Sequence, residues 1–283
     1  MRDTAPIYPA DFFDLTDFAH QGLFLPSQPV WTVLDRLPGY LQSLFTGNWT
    51  LKDHAGMVNK PLVILNGTVR KDLTIRVSDT DNTIHAFQGD VLLEDAAIIM
   101  PGAYLFDDKV MVGPRTVVEP GALIKGPSII GAGTEVRQGA YLRGDCLVGD
   151  KCVVGHTTEV KNAVMLDEAK AGHFAYVGDS ILGNNANLGA GTKLANLKII
   201  PGSVSVAVGR KFYNTNRRKL GAILGDNTET GCNSVTSPGT LMQRNSIVYP
   251  GVSVPGGFYP EKSYVMPAKG SIETGISQQL KKT

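Results

Sequence analysis

Cysteine, excess charge and long apolar runs are all scarce in this chain. Its 283 residues include three cysteines and no C-x-x-C pair, which excludes a disulfide framework. Lys and Arg number 27 against 26 Asp and Glu, for a net charge of +1, so no general attraction to nucleic acid or to an anionic membrane is expected. No apolar run approaches the ~18 residues of a membrane span, and the N-terminus lacks the apolar core of a signal peptide. We therefore expect a cytoplasmic protein with no nucleic-acid partner and no membrane partner.

A six-residue repeat runs through the middle of the chain. Twelve successive positions at this spacing are apolar: Met100, Phe106, Val112, Val118, Ile124, Ile130, Val136, Leu142, Val148, Val154, Val160 and Leu166. Two residues earlier, a second register holds small residues: Thr116, Ala122, Ser128, Thr134, Ala140, Cys146, Cys152 and Thr158. A hexapeptide β-helix has this period, because each hexad forms one side of a triangular coil. The sequence therefore predicts an all-β solenoid, a left-handed parallel β-helix of hexapeptide repeats.

Residues 1–94 do not follow the repeat. Apolar residues at helical spacing from Val30 to Phe45 predict an amphipathic helix, and Pro38 predicts a kink or a division into two short helices. Residues 61–95 are rich in β-branched residues and turn signals, which predict lead-in strands. An open solenoid end would expose apolar core and an unpaired edge. We therefore expect residues 1–94 to form a small α/β cap, with binding of a substrate or partner as the alternative.

The repeat becomes irregular after Leu166. Its next members follow at steps of five, six and five before the sixes return: Ala171, Val177, Leu182, Leu188, Leu194 and Ile200. Residues 201–219 leave the pattern and are rich in cations, and Leu224 resumes it. An insertion between two coils must protrude. We therefore predict a β-helix over 95–260 that is interrupted by a basic loop at about 201–219, and a C-terminal tail over 261–283.

Two motifs in the irregular coils carry the chemistry. The chain reads Lys-Ala-Gly-His-Phe-Ala-Tyr-Val-Gly-Asp at 170–179 and Asn-Ala-Asn-Leu-Gly-Ala-Gly-Thr at 185–192. Here it resembles the glucosamine-1-phosphate N-acetyltransferase domain of the bacterial bifunctional enzyme that makes UDP-N-acetylglucosamine. That domain is a left-handed β-helix that uses acetyl-CoA. The resemblance covers about 140–255 well and the first 60 residues not at all, and it implies an acetyl-CoA-dependent N-acetyltransferase that acts on an amino-sugar phosphate.

The resemblance also assigns roles to individual residues. It places the catalytic base at His173. It places substrate-binding residues at Arg143, Lys161, Tyr176, Asn187 and Lys219. It places cofactor-binding residues at Asn196, Arg217 and Arg218. It implies no metal, and it implies a homotrimer with the cofactor between neighbouring subunits.

Spacing gives independent support to the anion site. Arg143 and Lys161 are 18 residues apart, which is one full coil, so they should stack about 4.8 Å apart along the axis. Two stacked cations repel each other unless an anion lies over them, and a sugar phosphate would supply one. At His173, an imidazole with an ordinary pKa near ~6.5 suits removal of a proton from a sugar ammonium. His156 lies in a regular coil and is assigned to the surface or to a supporting position.

Two departures from the family pattern leave alternatives open. The family continues its second motif with N-Y-D-G, where this chain reads Lys-Leu-Ala-Asn-Leu-Lys at 193–198, and the basic insertion is longer. The alternatives are acylation of a nucleotide-linked or other amino sugar, and a non-catalytic sugar-phosphate-binding scaffold. No G-x-G-T-R signature occurs near the N-terminus, so we expect no pyrophosphorylase activity. A γ-type carbonic anhydrase is disfavoured because only His156 and His173 lie in the repeat.

Overall fold

The computed structural model of the protein describes residues 6–78 and 83–267. They form a left-handed parallel β-helix of about nine turns, as the hexad repeat predicts. Each coil contributes one short strand to each of three faces, and strands of successive coils pair in parallel. The register offset is 19 residues between the first two strands of face B, as between Ile98 and Val117, 18 between the next two, as between Val117 and Glu135, and 17 in the middle coils, as between Lys170 and Asn187.

We name the faces A, B and C. The parallel strands of face A are Tyr104–Leu105, Leu123–Lys125, Tyr141–Arg143, Glu159–Lys161, Tyr176–Gly178, Lys193–Leu194, Val235–Thr236 and Ser253–Val254. Those of face B are Ala97–Ile99, Val117–Val118, Glu135–Val136, Val153–His156, Lys170–His173, Asn187–Leu188, Glu229–Thr230, Ile247–Val248 and Tyr264–Val265. Those of face C are Val110–Val112, Ser128–Ile130, Cys146–Val148, Ala163–Met165, Ile181–Leu182, Ala222–Leu224, Thr240–Met242 and Gly257–Tyr259. The described strands thus extend to Val265, slightly beyond the predicted end at 260.

Antiparallel strands close the first end of the prism. Gly56–Met57 pairs with the first strand of face A, and Leu62–Leu65 pairs with the first strand of face B and with Thr68–Arg70. A separate three-stranded antiparallel sheet consists of Thr74–Val77, Ile84–Gln88 and Val91–Leu92. The described part of residues 61–95 therefore contains strands, and Leu62–Leu65 protects the edge that the first strand of face B would otherwise expose.

Most of the repeat points inward, and four of its members do not. Met100 packs in a separate cluster with Ile98, because Ile99 takes the inward position one residue earlier. Phe106 is 55% exposed, because Leu105 takes the inward position one residue earlier. Leu166 is buried, but it packs outside the prism, and Met165 fills the interior in its place. Ile200 is 75% exposed in the insertion. Leu166 lies outside the prism because the side of the coil between Val160 and Met165 is shortened to five residues. The same shortening recurs between Val177 and Leu182, and it gives the 17-residue coils.

Face C is apolar on its outer surface as well as its inner one. Its outward residues are Ile129, Leu147, Val164, Ile181, Ile223 and Leu241. Residues 7–45 cover them with the 3-10 helices Pro9–Asp11, Gln21–Leu23 and Val30–Thr32 and the α-helix Val33–Leu44. The expected division at Pro38 is absent, since Pro38 lies inside this one helix. A sheet buried on both surfaces reads as a continuous apolar run, and the N-terminal segment thus covers a side of the prism rather than its end.

The insertion lies between the strands Lys193–Leu194 and Ala222–Leu224. Across it the register offset rises to 42, as between Asn187 and Glu229. It contains an antiparallel hairpin of Ser205–Val208 and Lys211–Asn214, whose buried Val206 packs in the same apolar cluster as the N-terminal segment. No helix within the described residues is long and apolar enough to cross a membrane.

Candidate active site

Two histidines lie one above the other where face B turns into face A. His156 and His173 each end a face B strand, and they are register partners in successive coils. Gly155 permits this close approach, since a Cβ at that position would collide with the carbonyl group of Gly172. Phe174, with a φ of 53°, places its ring 5.4 Å from the His156 ring and 6.3 Å from the His173 ring. The sequence analysis placed His156 at the surface or in a supporting position, and the structure puts it directly in line with the predicted base.

The two imidazoles differ in their partners. Nδ1 of His156 lies 3.0 Å from the carbonyl oxygen of Gln138. Because a carbonyl group only accepts, Nδ1 is the donor in this contact and carries a proton. His173 is exposed and its side chain forms no hydrogen bond within the described parts of the chain. Its imidazole is therefore available to an external ligand.

Tyr176 lies on face A in the same coil as His173. Its hydroxyl folds over Gly178, where a Cβ would contact it, and accepts a hydrogen bond from Nδ2 of Asn196 at 3.1 Å. Burial raises the pKa of Tyr176, and the negative charge of Glu159 raises it further. The phenol therefore keeps its proton at neutral pH and can donate it to a bound oxygen atom. This packing requires a residue without a Cβ at position 178, which is why the Y-x-G-D sequence has glycine there.

Asp179 is the buried acceptor behind this tyrosine. Its side chain is 6% exposed, and it accepts hydrogen bonds from Asn162 at 2.8 Å and Asn196 at 2.6 Å. Nζ of Lys161 lies 4.0 Å from it, and a guanidinium nitrogen of Arg217 lies 3.4 Å from it. The carboxylate thus holds four side chains at the corner between faces A and C.

The predicted cations stack on face A but have carboxylate partners within the chain. Arg143 donates to Glu159 at 2.6 Å, and Lys161 faces Asp179. The argument that two stacked cations require an external anion is therefore wrong, because Glu159 and Asp179 supply the negative charge. Arg143 keeps 41% of its side chain exposed, and Lys161 keeps 29%, so both retain access to solvent and to a ligand.

The predicted site residues of the insertion lie at its C-terminal end, where the chain returns to the β-helix. Arg217 is 12% exposed and is bonded to Asp35, to Asp179 and to the backbone carbonyl of Lys219. These contacts give its guanidinium a structural role that ties the N-terminal helix to the β-helix. Arg218 is exposed, and Lys219 is half-buried beside it. Their assignments to cofactor and substrate stay predictions.

The two predicted asparagines lie in different surroundings. Asn196 is 8% exposed and donates hydrogen bonds to Tyr176 and Asp179, so it positions these two residues. Asn187 is exposed on face B, one coil beyond Lys170, and is displaced along the strand from the histidine corner. The structure thus places Tyr176, Lys161 and Arg143 on face A and His173 at the corner where face B turns into face A, and it leaves Asn187 on face B.

Sequence reasoning missed Glu159 and Asp179 as partners of the site. Asp179 lies inside the first motif, and the signal available for it was an aspartate directly after a small residue, Gly178, at a corner of the coil. Glu159 carried no signal of its own, because its role depends on Arg143 in the preceding coil. No group of three or more metal-binding side chains occurs in residues 6–78 and 83–267.

Several named proteins are similar to part of this chain. It is 39% identical over 105 residues to a bifunctional sugar-1-phosphate nucleotidylyltransferase/acetyltransferase of Sulfurisphaera tokodaii, covering 37% of this chain and 26% of that protein. It is 34% identical over 156 residues to the bifunctional protein GlmU of Stutzerimonas stutzeri, covering 51% and 34%. The chain thus spans a quarter to a third of the length of these relatives. The predicted resemblance to a bifunctional sugar-phosphate enzyme's acetyltransferase region is confirmed.

Solved structures overlap with this chain over shorter stretches. A perosamine N-acetyltransferase of Caulobacter crescentus, with CoA and GDP-perosamine, is 21% identical, with a TM-score of 0.29 over 42% of this chain and 56% of that one. A UDP-N-acetylglucosamine acyltransferase is 13% identical, with a TM-score of 0.25 over 56% and 68%. Structural overlaps with TM-scores this low do not indicate an activity. The profile of the family described as the GMPPB C-terminal domain matches residues 124–279, more than half of the sequence, and the chain belongs to that family.

Proposed function

We propose that this protein is an acyltransferase that moves an acetyl group from acetyl-CoA to the amine of an amino-sugar phosphate. One observation supports this most directly. The exposed, unbonded imidazole of His173 lies in the same coil as the proton-bearing Tyr176, beside a face that carries Lys161 and Arg143. A base beside a face that carries a neutral donor and two cations fits a substrate that has an amine, hydroxyls and a phosphate. The relative from Sulfurisphaera tokodaii, whose name includes a sugar-1-phosphate and an acetyltransferase, supports this choice.

In the proposed reaction His173 acts as the general base. It removes a proton from the sugar amine as the nitrogen attacks the thioester carbonyl carbon. A C–N bond forms, the C–S bond breaks, and the proton held by the imidazolium passes to the departing thiolate. Tyr176 orients a sugar oxygen, and Arg143 and Lys161 bind the phosphate through charge-assisted contacts. Asn196 and Arg217 act indirectly by holding Tyr176 and Asp179, whereas Arg218 and Lys219 are exposed enough to meet phosphates of the cofactor or substrate.

Thiol release from acetyl-CoA with a panel of amino sugars tests the reaction. Glucosamine-1-phosphate should be used well and glucosamine poorly. His173→Ala should lower turnover by about two to four orders of magnitude, the usual range for a general base. His54→Ala, a histidine outside the site, should leave turnover unchanged. If the His173 variant keeps near-normal turnover, the base is assigned wrongly.

The phosphate contact has its own test. Charge-assisted hydrogen bonds contribute ~1.5–3 kcal/mol each, so Lys161→Ala should raise KM for the phosphorylated sugar about ten- to a hundredfold and leave KM for acetyl-CoA little changed. Lys151→Ala removes an exposed lysine paired with Glu168 and serves as the matched control. Equal use of glucosamine and its 1-phosphate by the parent protein would rule out the phosphate site.

We also propose a homotrimer, in which the faces of neighbouring prisms pack together and share the cofactor. Face C is already covered by residues 7–45, so faces A and B are available for contacts between copies. Sedimentation equilibrium at micromolar concentration should give three times the chain mass of 30.3 kDa. A monomer would count against both the trimer and a shared site.

A further inference from the structure

The outer surface of face A carries alternating aromatic and cationic side chains above the proposed site. Nζ of Lys125 lies 4.3 Å from the ring centroid of Phe106 and 5.6 Å from that of Tyr141. Cζ of Arg143 lies 5.8 Å from the Tyr141 ring. We call Phe106, Lys125, Tyr141, Arg143 and Lys161 the ladder. The proposed function uses only its last two members.

The three cations of the ladder occupy equivalent positions in successive coils. Lys125 and Arg143 are register partners, and Lys161 follows 18 residues later, on the next strand of face A. At ~4.8 Å per coil, the row spans roughly 10 Å along the axis. Arg143 and Lys161 have carboxylate partners, whereas no carboxylate of the described residues lies within ion-pair distance of Lys125. The row therefore carries positive charge that no described carboxylate neutralises at Lys125, the end farther from His173.

Exposed aromatic rings occupy that same end. Phe106 is 55% exposed and Tyr104 is 37% exposed, and their ring centroids are 6.2 Å apart. Adjacent exposed aromatic rings offer a flat apolar surface to a ligand. Nucleobases stack on such rings whatever their identity, because every base has a π-face. The combination of exposed rings and a cation without a carboxylate partner among the described residues favours a ligand with a base and more than one phosphate.

We propose that the ladder binds the nucleoside diphosphate part of a nucleotide-linked amino sugar, which is then the acceptor substrate. The base would stack on Phe106 and Tyr104, one phosphate would contact Lys125, and the sugar-linked phosphate would contact Arg143 and Lys161. Three coil steps separate the rows of Phe106 and Lys161, roughly 14 Å, which is comparable to an extended nucleotide sugar. The inference rests on the proposed function, because the sugar 1-phosphate site is retained as one part of a longer site.

The test measures binding in the absence of acetyl-CoA. GDP and UDP are titrated calorimetrically against the parent protein, with glucosamine-1-phosphate and inorganic phosphate as comparison ligands. We expect both nucleotides to bind at least tenfold more tightly than glucosamine-1-phosphate. Phe106→Ala and Lys125→Ala should each weaken nucleotide binding about tenfold or more, and should change the Kd of glucosamine-1-phosphate less than threefold. Lys151→Ala, an exposed lysine outside face A, should affect neither ligand.

Three results would overturn the inference. Nucleotides could bind no better than inorganic phosphate. The two ladder variants could weaken nucleotide and sugar phosphate equally. Phe106→Glu could dissociate an oligomer while nucleotide binding was absent throughout, in which case face A is a contact between copies. If nucleotides bind as expected but no amino sugar is acetylated, the ladder stands and the proposed reaction fails.

Discussion

Removal of the buried carboxylate at Asp179 should destabilise the protein more than any change at the exposed ion pairs. Its side chain is 6% exposed and accepts hydrogen bonds from Asn162 and Asn196. Hydrogen bonds that involve a charged group contribute ~1.5–3 kcal/mol each. Asp179→Ala would also leave Arg217, which is 12% exposed, without one of its two carboxylate partners. Breaking one side of a buried pair costs about 3–5 kcal/mol, and we expect a loss in that range.

The two tryptophans make this loss measurable in a specific region. Trp31 and Trp49 are the only tryptophans of the sequence and both precede the β-helix. Arg217 connects Asp179 to Asp35 of the N-terminal helix. In urea, tryptophan fluorescence therefore reports release of the N-terminal segment, while far-UV circular dichroism reports the strands. We expect Asp179→Ala to shift the fluorescence midpoint to lower urea by more than the circular dichroism midpoint.

Two matched variants separate charge from size and position. Asp179→Asn keeps the volume and one acceptor oxygen, so it should lose about half as much stability. Glu168→Ala removes an exposed carboxylate paired with Lys151 and should cost ~0–1 kcal/mol. If Asp179→Ala costs no more than Glu168→Ala, the buried network does not anchor the N-terminal segment and our reasoning is wrong.

Three further predictions concern reactivity, pH and packing. Burial raises the pKa of both Cys146 and Cys152 to about 12, so a colorimetric thiol reagent at pH 8 should titrate only the exposed Cys232 in the folded protein and all three cysteines in urea. Burial lowers the pKa of His20, so the unfolded chain takes up a proton at this histidine before the folded protein does as the pH falls through ~6.5. The free energy of unfolding should therefore decline below that pH. Urea midpoints compared at pH 7 and 5.5 should fall less in His20→Gln than in the parent protein. Leu37 is fully buried over face C, so Leu37→Ala should cost about 2–5 kcal/mol by tryptophan fluorescence, and a cost below 1 kcal/mol would contradict its place in that cluster.

The interior of the β-helix could be predicted from sequence because a three-sided coil fixes its period. From Val118 to Val160 every predicted residue is buried in the prism. The errors at Met100, Phe106 and Leu166 occur where two adjacent residues are both apolar, Ile99 with Met100, Leu105 with Phe106 and Met165 with Leu166. A side one residue shorter or longer exchanges inside and outside, and apolarity alone cannot choose between such neighbours.

The site could be predicted in part for a different reason. His173 and Tyr176 lie in one short motif, and their proximity follows from it. The partners of Arg143 and Arg217 depend on residues 16 to 182 positions away, so no local pattern shows them. The covering of face C was likewise not predictable, since outward residues such as Val164 read like core residues of any buried strand.

The segment over residues 7–45 has a consequence for how the molecule comes apart. Coils of a solenoid contact only their neighbours, so a bare one can fray from either end. Here one segment crosses the outward residues from Ile129 to Leu241, and it links coils that do not touch each other. Opening any of these coils uncovers apolar surface on that segment as well. We therefore expect these coils to exchange their amide hydrogens together, as one cooperative unit, and the coils beyond Leu241 to exchange independently and sooner.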